Sequence, residues 1–536
     1  MKLYKKLILS LAALGLTSVC FAEDWDIEEQ TEPTVTIGGL VEVNGRAYVD
    51  QRDADDDPLK VEDWQTVTFP KGKVNLTYSG ISSDVNLSLK FDKTSLYDGF
   101  YWDILDEFTA RAYVGNAQFE AGKMRVVWGK GDKVHVIDNF NANDYTDYII
   151  PDYIDRRISE PMFRAVYSTN NNIKFEAVYT PMMTPDRLAS SGVWQPKASK
   201  KLTGIVEGMV KEQLAGALAT TIGAATDPKS PAYAAACESL FANLQFDADS
   251  LYPDTNRLQY GQVGARSTFT VGPVDLGVSY YLGREKTPTA NVQSIFDATA
   301  AEVMAQKAAA AVSAGQLQQS VLDNVITPKL SSYKAGLPEL DYEVMQVFGF
   351  EGATVLFGRL NSRWEVAYNL TKDIAGDDPW VHNNSIAWVA GFDVDLPVHN
   401  INVNIQNNGK YILNNDKIGD AEFSPFAGVN AALAGLFKTS YEEYDVDYDP
   451  NGIYTNNKLI VNVSDTWNHE KIKLDLKGIW GIERGDVIVM PNLAFNIKDD
   501  FQLNLSGLFI WCKDSDSEFD GWEHNSFAQV GVKYTF

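Results

Sequence analysis

Apolar and polar residues alternate along short segments that recur over most of the chain. In 472–477 and in 501–506 every second side chain is apolar, and the ones between are charged, amide or hydroxyl groups. Residues 527–536 follow the same rule, with apolar side chains at 528, 530, 532, 534 and 536. A period of two residues is that of a β-strand with one apolar and one polar face. The pattern therefore predicts an all-β protein.

The order of short and long connections predicts how these strands are arranged. Short turns, such as 80–83, 115–116, 272–273 and 498–500, alternate with the long connections 128–161, 181–257, 285–338 and 414–455. This alternation favours a transmembrane antiparallel up-and-down β-barrel of about 18 strands, with a range of about 14 to 18, over a soluble β-sandwich. Strands are predicted to begin near residues 34, 64, 84, 107, 117, 162, 173, 258, 274, 339, 363, 380, 400, 456, 471, 486, 500 and 524.

The N-terminal residues read as an export signal. A basic start is followed by an apolar run from Leu7 to Val19, which is too short to cross a bilayer as a helix. We expect residues 1–22 to be a signal peptide, 23–33 a short periplasmic tail, and 34–536 a single barrel domain. The alternative is a lipoprotein acylated at Cys20, but bulky Val19 fits that signal poorly.

Two long connections carry a helical rather than a strand pattern. Residues 197–247 and 289–327 have apolar side chains at spacings of three and four or are rich in alanine. Because they flank the predicted hairpin 258–284, we expect them to be neighbours in an extracellular cap. A gate or a surface-recognition element is the alternative.

Composition and motifs exclude several functions. A net charge of −26 argues against nucleic acid and against anionic lipid surfaces as partners. Signatures of hydrolases and of zinc proteases are missing, so neither an enzyme nor a cofactor is predicted. The acidic run 445–452 departs from a calcium loop at its glycine and glutamate positions, so no metal site is predicted either. Cys237 and Cys512 are expected to be free thiols, with pairing as the alternative.

Two segments resemble a known class of proteins. The alternating strand that ends in Tyr534 and Phe536 resembles those of outer-membrane β-barrels of diderm bacteria, and Trp128-Gly129-Lys130-Gly131-Asp132 resembles a W-G-x-G-D signature of uncharacterised porin-like members. The resemblance implies an outer-membrane location, with Tyr534 and Phe536 as an assembly signal. The implied partners are outer-membrane lipid, the barrel-assembly machinery and small solutes, and homo-oligomers stay open.

The connection 128–161 is the candidate pore constriction. It follows a strand, it is rich in polar and charged groups, and its glycines permit a sharp turn. Irregular backbone at membrane depth is tolerated only inside protein, which favours a loop folded into the lumen. The alternative is an external loop without a pore role. The candidate residues are Trp128, Asp132, Asp138, Asp144, Arg156 and Arg157.

Strand alternation also places basic side chains on the predicted lumen face. A basic ladder in an acidic protein favours anions in the pore, although a register slip of one residue inverts the contribution of a strand. The leading interpretation is a passive channel for small hydrophilic solutes, and the alternative is a surface structural or adhesive barrel with a blocked lumen. The expected lumen cations are Lys90, Lys123, Arg125, Arg164, Lys174, Arg266, Arg363, Lys471, Lys473 and Lys477, and the anions Glu176, Glu365 and Asp475 are expected among them.

Overall fold

A computed structural model of the chain describes residues 33–53, 55–202, 204, 208, 251–498 and 500–536. Eighteen antiparallel strands form one closed sheet, because each strand pairs with its neighbours along the chain and the last strand pairs with the first. The predicted fold class and strand number are confirmed, and each strand begins within a few residues of a predicted start. The predicted signal peptide lies outside the described residues.

The strands are numbered in chain order. They are β1 (Thr34–Tyr48), β2 (Thr66–Ser79), β3 (Ser83–Phe91), β4 (Leu105–Val114), β5 (Ala117–Met124), β6 (Glu160–Ser168), β7 (Lys174–Thr180), β8 (Gln262–Val271), β9 (Val274–Arg284), β10 (Val344–Leu356), β11 (Leu360–Leu370), β12 (Ser385–Asp395), β13 (Asn402–Ile412), β14 (Thr455–Trp467), β15 (Ile472–Gly481), β16 (Val487–Lys498), β17 (Phe501–Trp511) and β18 (Phe527–Thr535).

The two faces of the sheet differ as the alternation predicts. In the pairing of β1 with β18, Val43 lies opposite Val532 and both are exposed on the outer wall. The next pair, Asn44 and Gly531, faces the lumen. Large apolar side chains continue around the outer wall, and an apolar exterior with a polar interior is the arrangement of a membrane-spanning barrel.

Closure of the barrel depends on a close approach between β1 and the residue after β18. The Phe536 amide donates to the Gly39 carbonyl at 3.0 Å, and the Gly39 amide donates to the Phe536 carbonyl at 2.9 Å. A side chain at Gly39 would overlap the Phe536 ring, so glycine makes this contact feasible. Tyr534 and Phe536 stack at 6.4 Å and are exposed on the outer wall.

The two rims of the barrel are unequal. Both ends of the described chain lie at one rim, together with the short turns, and we call it the short-turn end. The opposite rim, the long-loop end, carries the long connections and one short one, 482–486. Its helix α1 (Gln293–Ser313) packs through Ala301 and Met304 on Trp380 and Phe426 of two other connections.

The expected contact between two helical insertions is not described, because 203, 205–207 and 209–250 lie outside the described residues. Among the helices that are described, none has the length and apolar character that crossing a membrane requires.

Candidate functional site: a loop folded into the barrel

The connection between β5 and β6, residues 125–159, folds into the barrel, and we call it the inner loop. Its side chains Trp128, Ile137 and Phe140 are fully buried against lumen-facing Met162 and Tyr281. The ring centroids of Trp128 and Phe140 lie 5.0 Å apart, and those of Phe140 and Tyr281 lie 5.2 Å apart, both edge to face. The inner loop therefore has an apolar core of its own between loop and wall.

One wall carboxylate holds the first turn of the inner loop. Glu365 of β11 is fully buried and accepts three hydrogen bonds, from Gly131 N at 2.6 Å, Val136 N at 2.9 Å and His135 Nδ1 at 2.7 Å. A side chain at Gly129, whose φ is +114°, would overlap the Glu365 carboxylate. The W-G-x-G sequence is thus explained by close backbone approach to a buried anion.

The wall behind the inner loop runs from β5 to β11, and we call it the packed wall. It carries a continuous row of ion pairs. Arg164 binds Glu120 at 2.9 Å and Glu176 at 2.7 Å, and Trp128 Nε1 donates to the same Glu176 at 2.9 Å. Arg266 then bridges to Glu351 at 2.5 Å. Because each of these arginines faces two carboxylates, their charge is neutralised within the wall rather than offered to the lumen.

Further along, charged pairs keep the inner loop compact and tie it across the barrel. Arg157 binds Asp138 at 2.8 Å, and both are buried. Asp147 forms a two-pronged pair with Arg46 of β1, at 2.6 and 2.9 Å. The loop thus contacts β11 through residues 131–136 and β1 through Asp147. Because these two strands lie on opposite sides of the closed sheet, the loop crosses the lumen.

A second connection supports the inner loop from the long-loop end. Residues 144–145 pair with 187–188 as a short parallel ladder, and Arg187 binds Asp144 at 2.7 Å. Tyr148 stacks on Trp194 of this second connection at 5.1 Å, with an interplanar angle of 7°. The body of chain inside the barrel is therefore built from two connections.

The remaining predicted inner-loop residues have local contacts. Asp132 accepts a hydrogen bond from Asn404 of β13 at 3.0 Å, and its carbonyl accepts one from Gln406 at 2.7 Å. Arg156 lies over the Tyr145 ring at 5.6 Å and donates weakly to loop carbonyls. Inward folding brings all six predicted loop residues into one body.

The predicted basic ladder is divided among different environments. Lys90 pairs with Asp92 at 3.2 Å, while Arg125, beyond the end of β5, binds Asp106 and lies 3.3 Å from Glu107. Lys473 and Lys477 lie on the lumen face of β15, whereas Lys471 lies exposed in the preceding turn.

The expectation for Lys123 was wrong. Its cross-strand partners are Phe108 and Pro161, which belong to the outward-facing set, so Lys123 lies on the outer side of β5. Its ammonium group turns towards the rim and donates to the carbonyls of Trp102 and Leu105, at 3.0 and 2.6 Å. The lumen face of β5 runs through Glu120, which the sequence argument did not name.

Opposite the packed wall, the lumen is lined by β14 to β18. Towards the short-turn end most of their lumen-facing side chains are polar and half-buried, or exposed in the case of Asn492, whereas Ala494 is buried. We call this surface the open wall; it comprises Asn462, Ser464, Lys473, Asp475, Lys477, Asn492, Asn504, Ser506 and Gln529.

Sequence reasoning missed the residues that clamp the inner loop. Glu365 was recognised only as one anion on the lumen face, and Arg46, Asp147 and Glu351 were not named. The available signal was a charged residue at an inward position of an otherwise apolar strand, as in Glu351 between Phe350 and Gly352. It does not reveal which loop segment will bind there.

The acidic run 445–452 is used for contacts at the long-loop end. Asp447 accepts hydrogen bonds from His382 Nδ1 at 2.8 Å and from Asn383 N at 2.7 Å, while Asp449 pairs with Arg484. Across the described ranges, no three His, Cys, Asp or Glu side chains are grouped as a metal site requires. Cys512 is unpaired within the described residues, and Cys237 lies outside them.

The closed barrel with an apolar outer wall and a polar interior places the chain in the fold class of the outer-membrane β-barrels. No family model matches the chain, and no curated protein matches it. Among solved structures, it is similar to OccAB4 of Acinetobacter baumannii, with 9% identity, a TM-score of 0.41, and coverage of 95% of this chain and 99% of the other.

Two further solved structures show comparable likeness. A BenF-like porin from Pseudomonas fluorescens Pf-5 has 7% identity and a TM-score of 0.42, covering 95% of this chain and 98% of the other. Wzi of Escherichia coli, described as a carbohydrate-binding barrel involved in capsule assembly, has 10% identity and a TM-score of 0.40, covering 93% and 84%. These likenesses concern the fold alone.

Proposed function

We propose that this protein is an outer-membrane channel for passive diffusion of small hydrophilic solutes, with the inner loop as its constriction. The short-turn end would face the periplasm and the long-loop end the exterior. The observation that carries the proposal is the inner loop itself, which is clamped to Glu365 and Arg46 on two sides of the lumen. The open wall supplies the polar surface beside it.

An anion preference is the finer part of the proposal. The arginines of the packed wall are neutralised by carboxylates, so the preference would depend on lysines of the open wall. Lys473 lies 3.4 Å from Glu470, and Lys477 lies close enough to Lys133 and Asp152 to interact electrostatically with both. Because Asp475 stands between the two lysines, the expected selectivity is modest.

Conductance in planar bilayers tests the constriction. Excision of 138–155 removes Asp138, Asp147 and the pairs they make, so single-channel conductance should rise. The control is excision of 425–436, a mostly exposed segment at the long-loop end that includes the helix Ala431–Leu436. Equal conductance for the intact protein and a correctly folded 138–155 deletion would contradict a constriction role.

A second candidate function is a surface structural or adhesive barrel with a blocked lumen. It is favoured by the aromatic cluster at the long-loop end, where Tyr148, Trp194 and Phe519 are buried together with Phe527 of β18. This cluster occupies space through which a solute would enter. Silent bilayers from protein that is folded and membrane-inserted would support this function over the channel.

Assembly forms a separate part of the proposal. Tyr534 and Phe536 are exposed on the outer wall at the short-turn end, where aromatic side chains suit a membrane interface. They would guide assembly through the barrel-assembly machinery, and association of identical barrels is compatible with the outer wall. Deletion of Phe536 should lower the yield of heat-modifiable barrel, and an unchanged yield would count against the signal.

A further inference from the structure

The second connection, which follows β7, places a large aromatic ring inside the mouth of the barrel at the long-loop end. Trp194 is 5% exposed, and its ring lies 6.2 Å from that of Tyr48 and 6.5 Å from that of Phe527. Tyr48 and Phe527 are cross-strand partners on the lumen face of β1 and β18. Because Trp194 also stacks on Tyr148 of the inner loop, its ring fills space between this wall and the inner loop.

The chain around Trp194 is attached less firmly than the inner loop. Within 190–197 only Trp194 is buried, and its Nε1 donates to the Tyr48 hydroxyl at 3.1 Å. The Val193 carbonyl accepts a hydrogen bond from Asn525 at 2.6 Å, and the exposed Lys197 forms an ion pair that is in contact with water. Such an ion pair contributes little to stability. Attachment of this segment therefore depends chiefly on one ring.

The cluster around Trp194 also contains buried polar atoms without partners. The Tyr148 hydroxyl, the Trp522 Nε1 and the Asp486 Oδ2 have no hydrogen-bond partner among the described residues. The Trp522 ring lies 4.7 Å from that of Tyr148, and Asp486 is close enough to Tyr148 to interact with it electrostatically. A buried polar atom without a partner is costly, and contact with water removes that cost. Opening of the cluster therefore recovers hydrogen bonds that the closed arrangement lacks.

We propose that residues 190–197 form a gate outside the inner loop, with Trp194 as the latch that decides whether solutes reach the constriction. The inference rests on the proposed channel function. In the closed form the Trp194 ring lies between Tyr48, Tyr148 and Phe527, and in the open form water takes its place. Burial of the ring favours the closed form, whereas the unpaired polar atoms favour the open one, so the two forms compete.

A reversible cross-link in planar bilayers tests the gate. In a background without cysteine, Val193→Cys and Asn525→Cys are joined by a short thiol-specific cross-linker that a reductant cleaves. We expect conductance to fall several-fold, or open events to disappear, in the cross-linked protein and to recover after reduction. The control is the same cross-link between Glu422→Cys and Lys438→Cys, which replace an exposed ion pair at the long-loop end and should leave conductance unchanged.

Substitution of the latch tests the gate without a cross-link. Trp194→Ala should raise the open probability several-fold, because the closed form loses its buried ring. Trp194→Phe keeps a ring to stack on Tyr148 and loses the hydrogen bond to Tyr48, so its open probability should lie between those of the wild type and Trp194→Ala. Trp380→Ala is the control, since it removes a buried tryptophan that packs with helix α1 at the same end of the barrel.

The outcomes separate the gate from the channel. Unchanged conductance in fully cross-linked protein would overturn the gate and leave the channel intact, whether or not Trp194→Ala folds. Equal open probabilities in Trp194→Ala and Trp380→Ala would overturn the role of Trp194 as latch. A wild type that is silent, with a Trp194→Ala variant that conducts, would support a gate that is closed at rest. Silence of every variant, including the 138–155 deletion, would overturn the channel and the gate together.

Discussion

Polar side chains alternate with apolar ones on both sides of the lumen, but they are buried on one side and wet on the other. On the packed wall, from β5 to β11, Glu120, Glu176, Glu351 and Glu365 are at most a few percent exposed and bind arginines or loop amides. On the open wall, Asn492 and its neighbours are half-buried or exposed. A polar lumen face is therefore a folding interface on one side and a solvent-facing surface on the other.

The difference teaches which polar residues are structural. A buried carboxylate is costly unless every oxygen is bound, and removal of its partners leaves an uncompensated charge. Neutral amides at a wet surface exchange protein hydrogen bonds for water at little net cost. Substitutions on the packed wall should therefore change stability and loop position, and those on the open wall should change solute passage.

The largest effect is expected at Glu365. In Glu365→Ala the amides of Gly131 and Val136 lose their acceptor, and we expect the inner loop to be destabilised by about 3 kcal/mol or more. Hydrogen exchange in 129–137 should accelerate and conductance should become noisy or larger. Glu365→Gln keeps one acceptor oxygen, so its rate of hydrogen exchange in 129–137 should lie between those of the wild type and Glu365→Ala.

Asn492→Ala is the matched control on the open wall, where we expect less than about 0.5 kcal/mol. If Glu365→Ala and Asn492→Ala leave exchange of the inner loop equally slow, the distinction between the walls is wrong.

Gly129→Ala tests the close approach to the same carboxylate. The added methyl group would overlap Glu365 and would sit on backbone with φ of +114°, so we expect a loss of about 1–3 kcal/mol. Gly192→Ala separates the two causes, because Gly192 also has positive φ, at +79°, but open space around it. Equal unfolding midpoints for the two variants would show that contact with Glu365 contributes nothing.

The open wall is tested through selectivity rather than stability. Lys473→Glu combined with Lys477→Glu should move the reversal potential in a salt gradient towards cations, while the unfolding midpoint changes little. Lumen charges are only partly screened, since the Debye length at physiological salt is about 8 Å. Arg164→Gln on the packed wall should have the opposite pattern: the reversal potential should change little, and stability should fall because Glu120 and Glu176 lose an ion-pair partner.

If the reversal potential stays unchanged in the lysine variant and shifts in Arg164→Gln, then the packed wall, and not the open wall, determines selectivity.

The two walls also show which features of the structure can be predicted from the sequence. Alternation of apolar and polar residues fixes strands, faces and closure, because a slip of one residue would turn Ile472 and Leu474 inward and Lys473 outward. The inner loop was predicted from its length and polarity together with the requirement that irregular backbone be enclosed. Its clamps were not, because Glu365 and Gly131 are far apart in sequence and neither carries a local signal of the other.

The error at Lys123 has a physical reason as well. A lysine at the end of a short strand extends its ammonium group to the rim from either face, so basic character alone does not identify the lumen side.

The smallest predicted effect is a pH dependence of local stability at the long-loop end, which belongs to neither wall. Burial, followed by the neighbouring Asp447 and Asp373 carboxylates, raises the pKa of Asp445 to about 6, although the Asp447 amide donates to it at 3.0 Å. A raised pKa means that the folded state binds the proton more tightly than the unfolded state. The contribution of Asp445 to stability is thus greatest at acid pH and is lost as pH rises through about 6.

Hydrogen exchange in 441–449, corrected for intrinsic rates, should be slower at pH 5 than at pH 7, and Asp445→Asn should remove the difference. The inner loop does not contact Asp445 and serves as the internal reference. If its exchange changes over the same pH interval and that change also disappears in Asp445→Asn, the long-loop end and the packed wall form one cooperative unit.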